Sequence, residues 1–288
     1  MNIKTFKPEK YEYTKILSNI SDCPSELFYK GTLPNKRIKT VAIVGSRKPT
    51  AYGRNIANKI ANRLAEVGIV VISGLALGID SVAHRGALER DGLTIAVLAN
   101  GLDMVYPAMH RSLAERIISS GGAIISEYPI NTKPLPWQFL ARNRIISGLA
   151  DVIVVVEASK RSGTLSTASH GINQGKEVFA VPGNITSPYS EGCNHLIKMG
   201  ATPLIDIDEF IKYLVPEVDV KSKQAYLPIG SNDIENFIIN KLRDGEIDGD
   251  EIFSGLNISI SEFNQALTML EIKGIIKSQG GNRWNLGW

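Results

Sequence analysis

Short apolar runs alternate with helical patterns through most of the chain. The runs are Val41–Val44, Ile69–Ile72, Thr94–Leu98, Ala123–Ile125, Asp151–Val156 and Glu177–Val181. They are apolar at consecutive positions, the pattern of strands covered on both faces. Between the first two, residues 52–67 place Ile56, Ile60, Leu64 and Val67 on one helical face. SVAHRGALER, HRSLAERIISS, RNRIISGLA and TLSTASHGINQ read the same way. Strand alternating with helix predicts an α/β fold built on a doubly wound, mostly parallel sheet. A last unit, ATPLIDIDEFIKYL, closes this domain, predicted to span 41–214.

The flanks read differently. Residues 1–40 are mixed: EYTKILSNI predicts a short helix and LFYKG a strand entering a turn. The segment is too short for a domain and is expected to pack on the core. Residues 215–230, VPEVDVKSKQAYLPIG, lack periodicity and read as a linker. Beyond it, helical patterns cover 231–243, 248–256 and 259–273. Two strand-like runs, 275–278 and 283–286, then flank Gly280-Gly281-Asn282. Three helices and a hairpin predict a small winged-helix domain at 231–288.

Composition narrows the setting. Of 288 residues, 43% are hydrophobic, enough for a large core, yet no run approaches the 18 apolar residues of a membrane span. The N-terminus lacks the apolar stretch of a signal peptide. Cys23 and Cys193 stand alone, which argues against a disulfide framework and for a reducing, cytoplasmic setting. Charge is unevenly spread. Residues 1–216 hold 25 Lys+Arg against 18 Asp+Glu, whereas residues 217–288 hold 7 against 11. A polyanion would favour the first part.

Ligands of open parallel sheets bind beyond the carboxyl ends of the strands. The first run is followed by Gly45-Ser46-Arg47-Lys48 and the second by Ser73-Gly74-Leu75-Ala76. The third is followed by Asn100-Gly101-Leu102-Asp103, the fifth by Glu157 and then Lys160-Arg161-Ser162-Gly163-Thr164, and the sixth by Pro182-Gly183-Asn184. One such glycine is ordinary turn chemistry. Five on one edge, with Arg47, Lys48 and Arg161 among them and helix N-termini following, predict a site for a phosphate-bearing ligand. G-x-x-x-x-G-K-[ST] is absent, and no G-x-G-x-x-G follows the first run, so neither an NTP loop nor a dinucleotide fingerprint is present.

The segment WQFLARNRIISGLADVIVVVEASKRSGTLSTA sets Trp137 and Phe139 just before Arg142-Asn143-Arg144. Aromatic faces that stack bases beside arginines that hold phosphates are the chemistry of single-strand binding. Core aromatics beside a solvated basic helix face fit the same pattern, and periodicity leaves both open. His84, His110, His170 and His195 are scattered without metal-ligand spacing. Asp80 reads as early-turn charge compensation at a helix start and Asp103 as a turn former. No nucleophile–base pair emerges from the spacing. No cofactor is called for, and the chain reads as a binding protein rather than an enzyme.

Taken together, VAIVGSR, VISGLALGIDSVAHRGAL, GLDMVYP, RNRIISGLADVIVVVEASKRSGTLSTA, VFAVPGN and SEGCNHLIKMGA resemble, in order, the DprA/Smf family of DNA-processing proteins, over roughly residues 41–212. The resemblance implies an extended Rossmann-like fold that binds single-stranded DNA without cutting it. It also implies loading of a RecA-type recombinase during natural transformation, and a homodimer formed through this domain. The family's Gly-Ser-Arg loop matches Gly45, Ser46 and Arg47, with Lys48 beside them, and its aromatic-plus-RNR segment matches Phe139, Arg142, Asn143 and Arg144. Its Ser-Gly-Thr/Ser loop matches Ser162, Gly163 and Thr164. With Gly74 and Arg161 from the strand ends, these are the expected single-strand-binding residues. Many members carry an N-terminal helical domain for which 40 residues are too few.

The rival is an enzyme, a nucleotide phosphoribohydrolase of the LOG type on a related fold. Its P-G-G-x-G-T-x-x-E loop aligns only loosely with Arg161–Thr167, and Thr167 stands where that loop has its glutamate. The winged helix carries its own question. Its candidate recognition helix, 259–273, holds Glu262 and Glu271 and no cation before Lys273. That composition favours protein contact or a structural role over groove reading, although Asn264 and Gln265 could read bases.

Overall fold

The computed structural model describes residues 3–216, 230 and 232–286. The expected linker at 215–230 lies almost wholly outside the described residues. Contacts divide the chain into two units, Met1–Val220 and Lys221–Trp288.

The first unit is a nine-stranded sheet. Its strands are β1 (Lys4–Phe6), β2 (Leu27–Gly31), β3 (Thr40–Val44), β4 (Val70–Ser73), β5 (Thr94–Leu98), β6 (Ala123–Ser126), β7 (Val152–Val155), β8 (Glu177–Ala180) and β9 (Thr202–Pro203). They lie in the order β1-β2-β6-β5-β4-β3-β7-β8-β9. From β6 to β9 every pair is parallel; β2 joins β6 antiparallel, and β1 joins β2 likewise. Each of the six apolar runs becomes a strand of the parallel part, and β3, β4, β5 and β7 are buried at every position.

Alternation along β3 shows why. Val41 and Ile43 face helices α1 (Ala51–Glu66), α2 (Ile79–Leu88) and α7 (Ile207–Leu214). Ala42 and Val44 face α4 (Pro136–Leu149), α5 (Thr164–Asn173) and α6 (Glu191–Lys198). Beyond β4, α3 (Arg111–Ser119) covers Ala96, Leu98 and Ile124. On α1 the stripe Ala57, Ile60, Ala61 and Leu64 is fully buried. Each such Ile or Leu contributes about 1.5–3 kcal/mol of transfer free energy.

The first 40 residues extend the sheet by two strands. Phe6, Tyr11 and Tyr29 meet edge-to-face, with ring centroids 5.1–6.0 Å apart. Tyr13 and Leu17 are fully buried, and the Tyr13 hydroxyl meets Thr40 Oγ1 at 3.1 Å. EYTKILSNI forms a 3-10 turn at Lys15–Asn19, and LFYKG is β2.

The second unit contains α8 (Asp233–Arg243), α9 (Gly249–Ser254), α10 (Ile260–Ile272) and the hairpin β10 (Ile276–Gly280) and β11 (Arg283–Leu286). Ile238, Ile239, Ile252, Phe263, Leu267 and Leu270 form its own core. Ser259 caps α10 by accepting from Glu262 N, and Glu262 returns a carboxylate to Ser259 N at 2.9 Å. The arrangement is that of a winged helix.

Candidate functional site

Strand order reverses around β3, whose neighbours β4 and β7 lead away in opposite directions. Such a switch point leaves a crevice at the carboxyl ends. A cavity of about 620 Å³ opens there, between the loop after β3, the start of α4 and the loop before α5.

The loop after β3 is pinned at both ends. Ser46 N donates to Glu157 O at 2.7 Å, and Ile79 N donates to Ser46 O at 3.1 Å. Gly45 is required by close approach, since a Cβ there would stand 2.6 Å from the Ile79 side chain. Further on, Thr50 N donates to the buried Glu157 carboxylate at 2.9 Å, and the Thr50 hydroxyl donates to its other oxygen. The same hydroxyl accepts from Gly53 N and caps α1. Between these anchors Arg47 and Lys48 project, both exposed. Neither has an acidic partner among the described residues.

Helix α4 forms the facing wall. It starts at Pro136, which suits the first helical position, and Gln138 Oε1 accepts from Leu135 N. Phe139 is half-buried and lies under the Arg47 guanidinium, whose carbon is 5.2 Å from the ring centroid. The Tyr106 ring packs on Phe139 at 5.7 Å. Trp137 is 58% exposed and meets Tyr128 edge-to-face.

Arg142 is only 4% exposed, yet it lines the cavity. Its Nη1 donates to Gly74 O at 2.8 Å and to Val97 O, joining the ends of β4 and β5. Burial pushes its pKa down to about 10, with the neighbouring Asp80 opposing the fall. The Arg142 guanidinium therefore stays charged at neutral pH. Burial raises the Asp80 carboxyl, and Arg142 and the backbone amides of Ala76 and Gly74 hold it down. Asp80 does more than compensate a helix start, because it accepts from Gly74 N at 3.1 Å and Ala76 N at 3.3 Å. Asn143 Nδ2 reaches Ser166 Oγ at 2.8 Å, and Thr164 Oγ1 donates to Gly45 O at 3.0 Å, which ties the loop before α5 to the loop after β3.

Ten of the sequence-selected residues therefore line one cavity: Gly45, Ser46, Arg47, Lys48, Phe139, Arg142, Asn143, Ser162, Gly163 and Thr164. Three do not. Gly74 borders a smaller adjoining pocket. Arg161 is exposed outside the lining. Arg144 points the other way, paired in a fork with Glu127 at 2.6 and 2.8 Å and with Asp22 at 2.8 Å. Helical spacing accounts for this, since residues two apart lie on different faces. Tyr189 carries no signal in the sequence, and Glu157, at the end of the fifth run, and Tyr106, within GLDMVYP, acquire their roles here only from the fold. Asp103 orders a turn as expected, but its neighbour's, accepting from Asn131 N at 2.8 Å.

The chain is similar to several known proteins. The family model for DNA recombination-mediator protein A matches residues 4–215. Protein Smf of Escherichia coli is 44% identical over 202 residues, which are 70% of this chain and 54% of that protein. The chain thus spans about half of that relative's length. The DNA processing protein DprA of Bacillus subtilis is 39% identical over 226 residues, 78% of this chain and 75% of that one. Among solved structures, DprA of Streptococcus pneumoniae superposes with a TM-score of 0.68 at 39% identity, covering 73% of this chain and 74% of the other. The DprA of Helicobacter pylori, whose structure describes a single-stranded DNA binding mode, superposes with a TM-score of 0.66 at 31% identity, covering 75% and 97%. With residues 4–215 under one family model and relatives of 39–44% identity over most of its length, the chain belongs to the DprA/Smf family of DNA-processing proteins.

Proposed function

We propose that the cavity holds single-stranded DNA without strong sequence preference, and that the protein protects the strand and loads a RecA-type recombinase on it during transformation and homologous recombination. The observation that carries this reading is the Arg47 guanidinium lying over the Phe139 ring, with Lys48 in the same cavity lining and neither cation having an acidic partner among the described residues. Cations hold phosphate regardless of sequence, and an aromatic face accepts any base. The single-strand binding described for the Helicobacter pylori relative supports it.

The phosphoribohydrolase reading has less behind it. Thr167 is buried in the cavity lining where that enzyme's loop has a carboxylate, and a hydroxyl cannot replace it as an acid or base at neutral pH. A homodimer through the sheet domain would set two clefts on one strand and make the second engagement intramolecular.

Titration with single- and double-stranded oligonucleotides of equal length tests the reading. Tight single-strand binding that strengthens with length until two clefts are bridged is expected, together with faster nucleation of recombinase filaments on the coated strand. Equal affinity for duplex, or release of free base from nucleoside monophosphates, would overturn it.

A further inference from the structure

Helices α1 and α2 lie side by side on one face of the sheet, and both start from its carboxyl edge. They touch at Gly86, where a Cβ would stand 2.9 Å from the Ala61 Cβ. The half of their seam away from the cleft is stitched. Glu89 accepts from Asn58 Nδ2 at 2.9 Å and from Asn62 Nδ2 at 3.3 Å. Arg90 Nε donates to Asn62 Oδ1 at 2.8 Å and lies 3.4 Å from Glu66 Oε1.

One turn nearer the cleft the stitching stops. Arg54 precedes Asn58 by four residues and Arg85 precedes Glu89 by four, so the two arginines hold the next facing positions of the seam. Both are exposed, and neither makes an ion pair among the described residues. Arg54 Nη1 donates to Pro49 O at 2.6 Å, which sets its guanidinium against the loop that carries Arg47 and Lys48. The Arg85 side chain makes no hydrogen bond among the described residues. Helical side chains lean toward the N-terminus, so both arginines lean toward the cleft end of the seam. Helix axes in contact are about 8–10 Å apart, close enough for like charges to repel. Glu89, one turn away, is already taken by two amides. A seam that answers its charges in one half and leaves two cations facing in the other has a place for an anion.

We infer that the cleft end of the α1–α2 seam is a second phosphate-binding track, on which a strand held in the cleft continues past Lys48 to Arg54 and Arg85. Neither arginine lines the cavity, so the track lengthens the footprint outside it. Guanidinium groups hold phosphodiesters through charge and paired N–H donors, and such contacts carry no sequence information. The track therefore adds affinity for long strands at low salt and no base preference. This rests on the single-strand reading above and gives the strand a direction of exit, outward along α1 and α2.

The test follows log–log salt slopes for oligo-dT strands of about four and about twelve nucleotides, the shorter filling the cleft alone. Arg54→Gln/Arg85→Gln should flatten the long-strand slope by about 1.4, two phosphate contacts at about 0.7 each, and leave the short-strand slope in place. Lys4→Gln/Lys15→Gln removes the same charge on the other face of the sheet, where Tyr29 and Leu17 pack, and should leave both slopes in place. Melting curves identify a variant that fails to fold. Arg85→Gln alone, which breaks no side-chain bond among the described residues, then decides, with an expected flattening of about 0.7. A long-strand slope unchanged in the folded variant, or an equal flattening by the lysine pair, overturns the track. Absence of binding to either strand by the wild type would instead remove the single-strand reading itself.

Discussion

The guanidinium of Arg47 covers the ring of Phe139, one from the loop after β3 and the other from α4. Residues 92 positions apart are thereby one structural unit at the mouth of the cleft. The cation lies over the aromatic face that a base would use in the proposed reading.

That coupling sets the first prediction. Arg47→Ala should weaken single-strand binding for all sequences and flatten the log–log salt slope by about 0.7, the share of one phosphate contact. Phe139→Ala should cost about 1–3 kcal/mol with an unchanged slope, because stacking is not screened. The double variant should lose less than the two single losses combined. A strictly additive cycle would show that the two act separately.

Glu157 carries no DNA contact in this reading, yet its carboxylate fixes Thr50 and so the frame of the Arg47 loop. Glu157→Ala leaves the Thr50 amide without its acceptor and should cost about 1–3 kcal/mol of stability. Binding should weaken at temperatures where the variant is still folded. A melting curve and a titration on the same sample check both; an unchanged melting temperature would refute the anchoring role.

His84 supplies a pH prediction. Burial, with His110 and Arg142 adding to it, pushes the imidazole down to about 3. Its Nδ1 meets Thr94 Oγ1 at 2.7 Å, and Thr94 donates to Val71 O, so Nδ1 carries the proton and Nε2 is bare. The folded protein holds His84 neutral while the unfolded chain protonates it near 6.5. This contribution is complete above pH 6.5 and is lost progressively as pH falls toward 3. His84→Leu should be less stable at pH 7 but lose less melting temperature between pH 7 and 4 than the wild type. Asp80, raised by burial, acts in the opposite direction and is common to both proteins. Parallel melting profiles would refute the assignment.

Ending the chain at residue 216 should leave single-strand affinity within a fewfold of the full chain. Every residue of the cleft lies before it, and the part removed has a net charge of −4. Relief of repulsion could raise affinity slightly at low salt. A tenfold loss would mean that the winged helix itself touches the strand.

The parallel sheet was legible because burial on both faces writes uninterrupted apolar runs, and each run became a strand within a residue or two at either end. The edge was less so. β1 and β2 are short, half exposed and antiparallel, and nothing local in KTF or LFYKG names β6 as their partner. In the site, the loop glycines and Arg47 were legible from their place after the first strand. The separate fates of Arg142 and Arg144 were not, because they depend on Gly74, Val97, Glu127 and Asp22, which only the fold brings near. Tyr106 sits in the GLDMVYP motif, but its role arises from Phe139 across the cleft.

The pairing of β2 with β6 has a consequence for synthesis. Gly31 pairs with Ala123, so β2 leaves the ribosome 92 residues ahead of the strand that completes it. At ordinary elongation rates that is a wait of roughly five to twenty seconds. Throughout it Leu27 and Tyr29, buried in the finished molecule, have no sheet to lie against. The newborn chain therefore passes through a stage with a sticky leading end, and the N-terminal edge, the first part of the sheet to be made, has to wait for β6 before it can close.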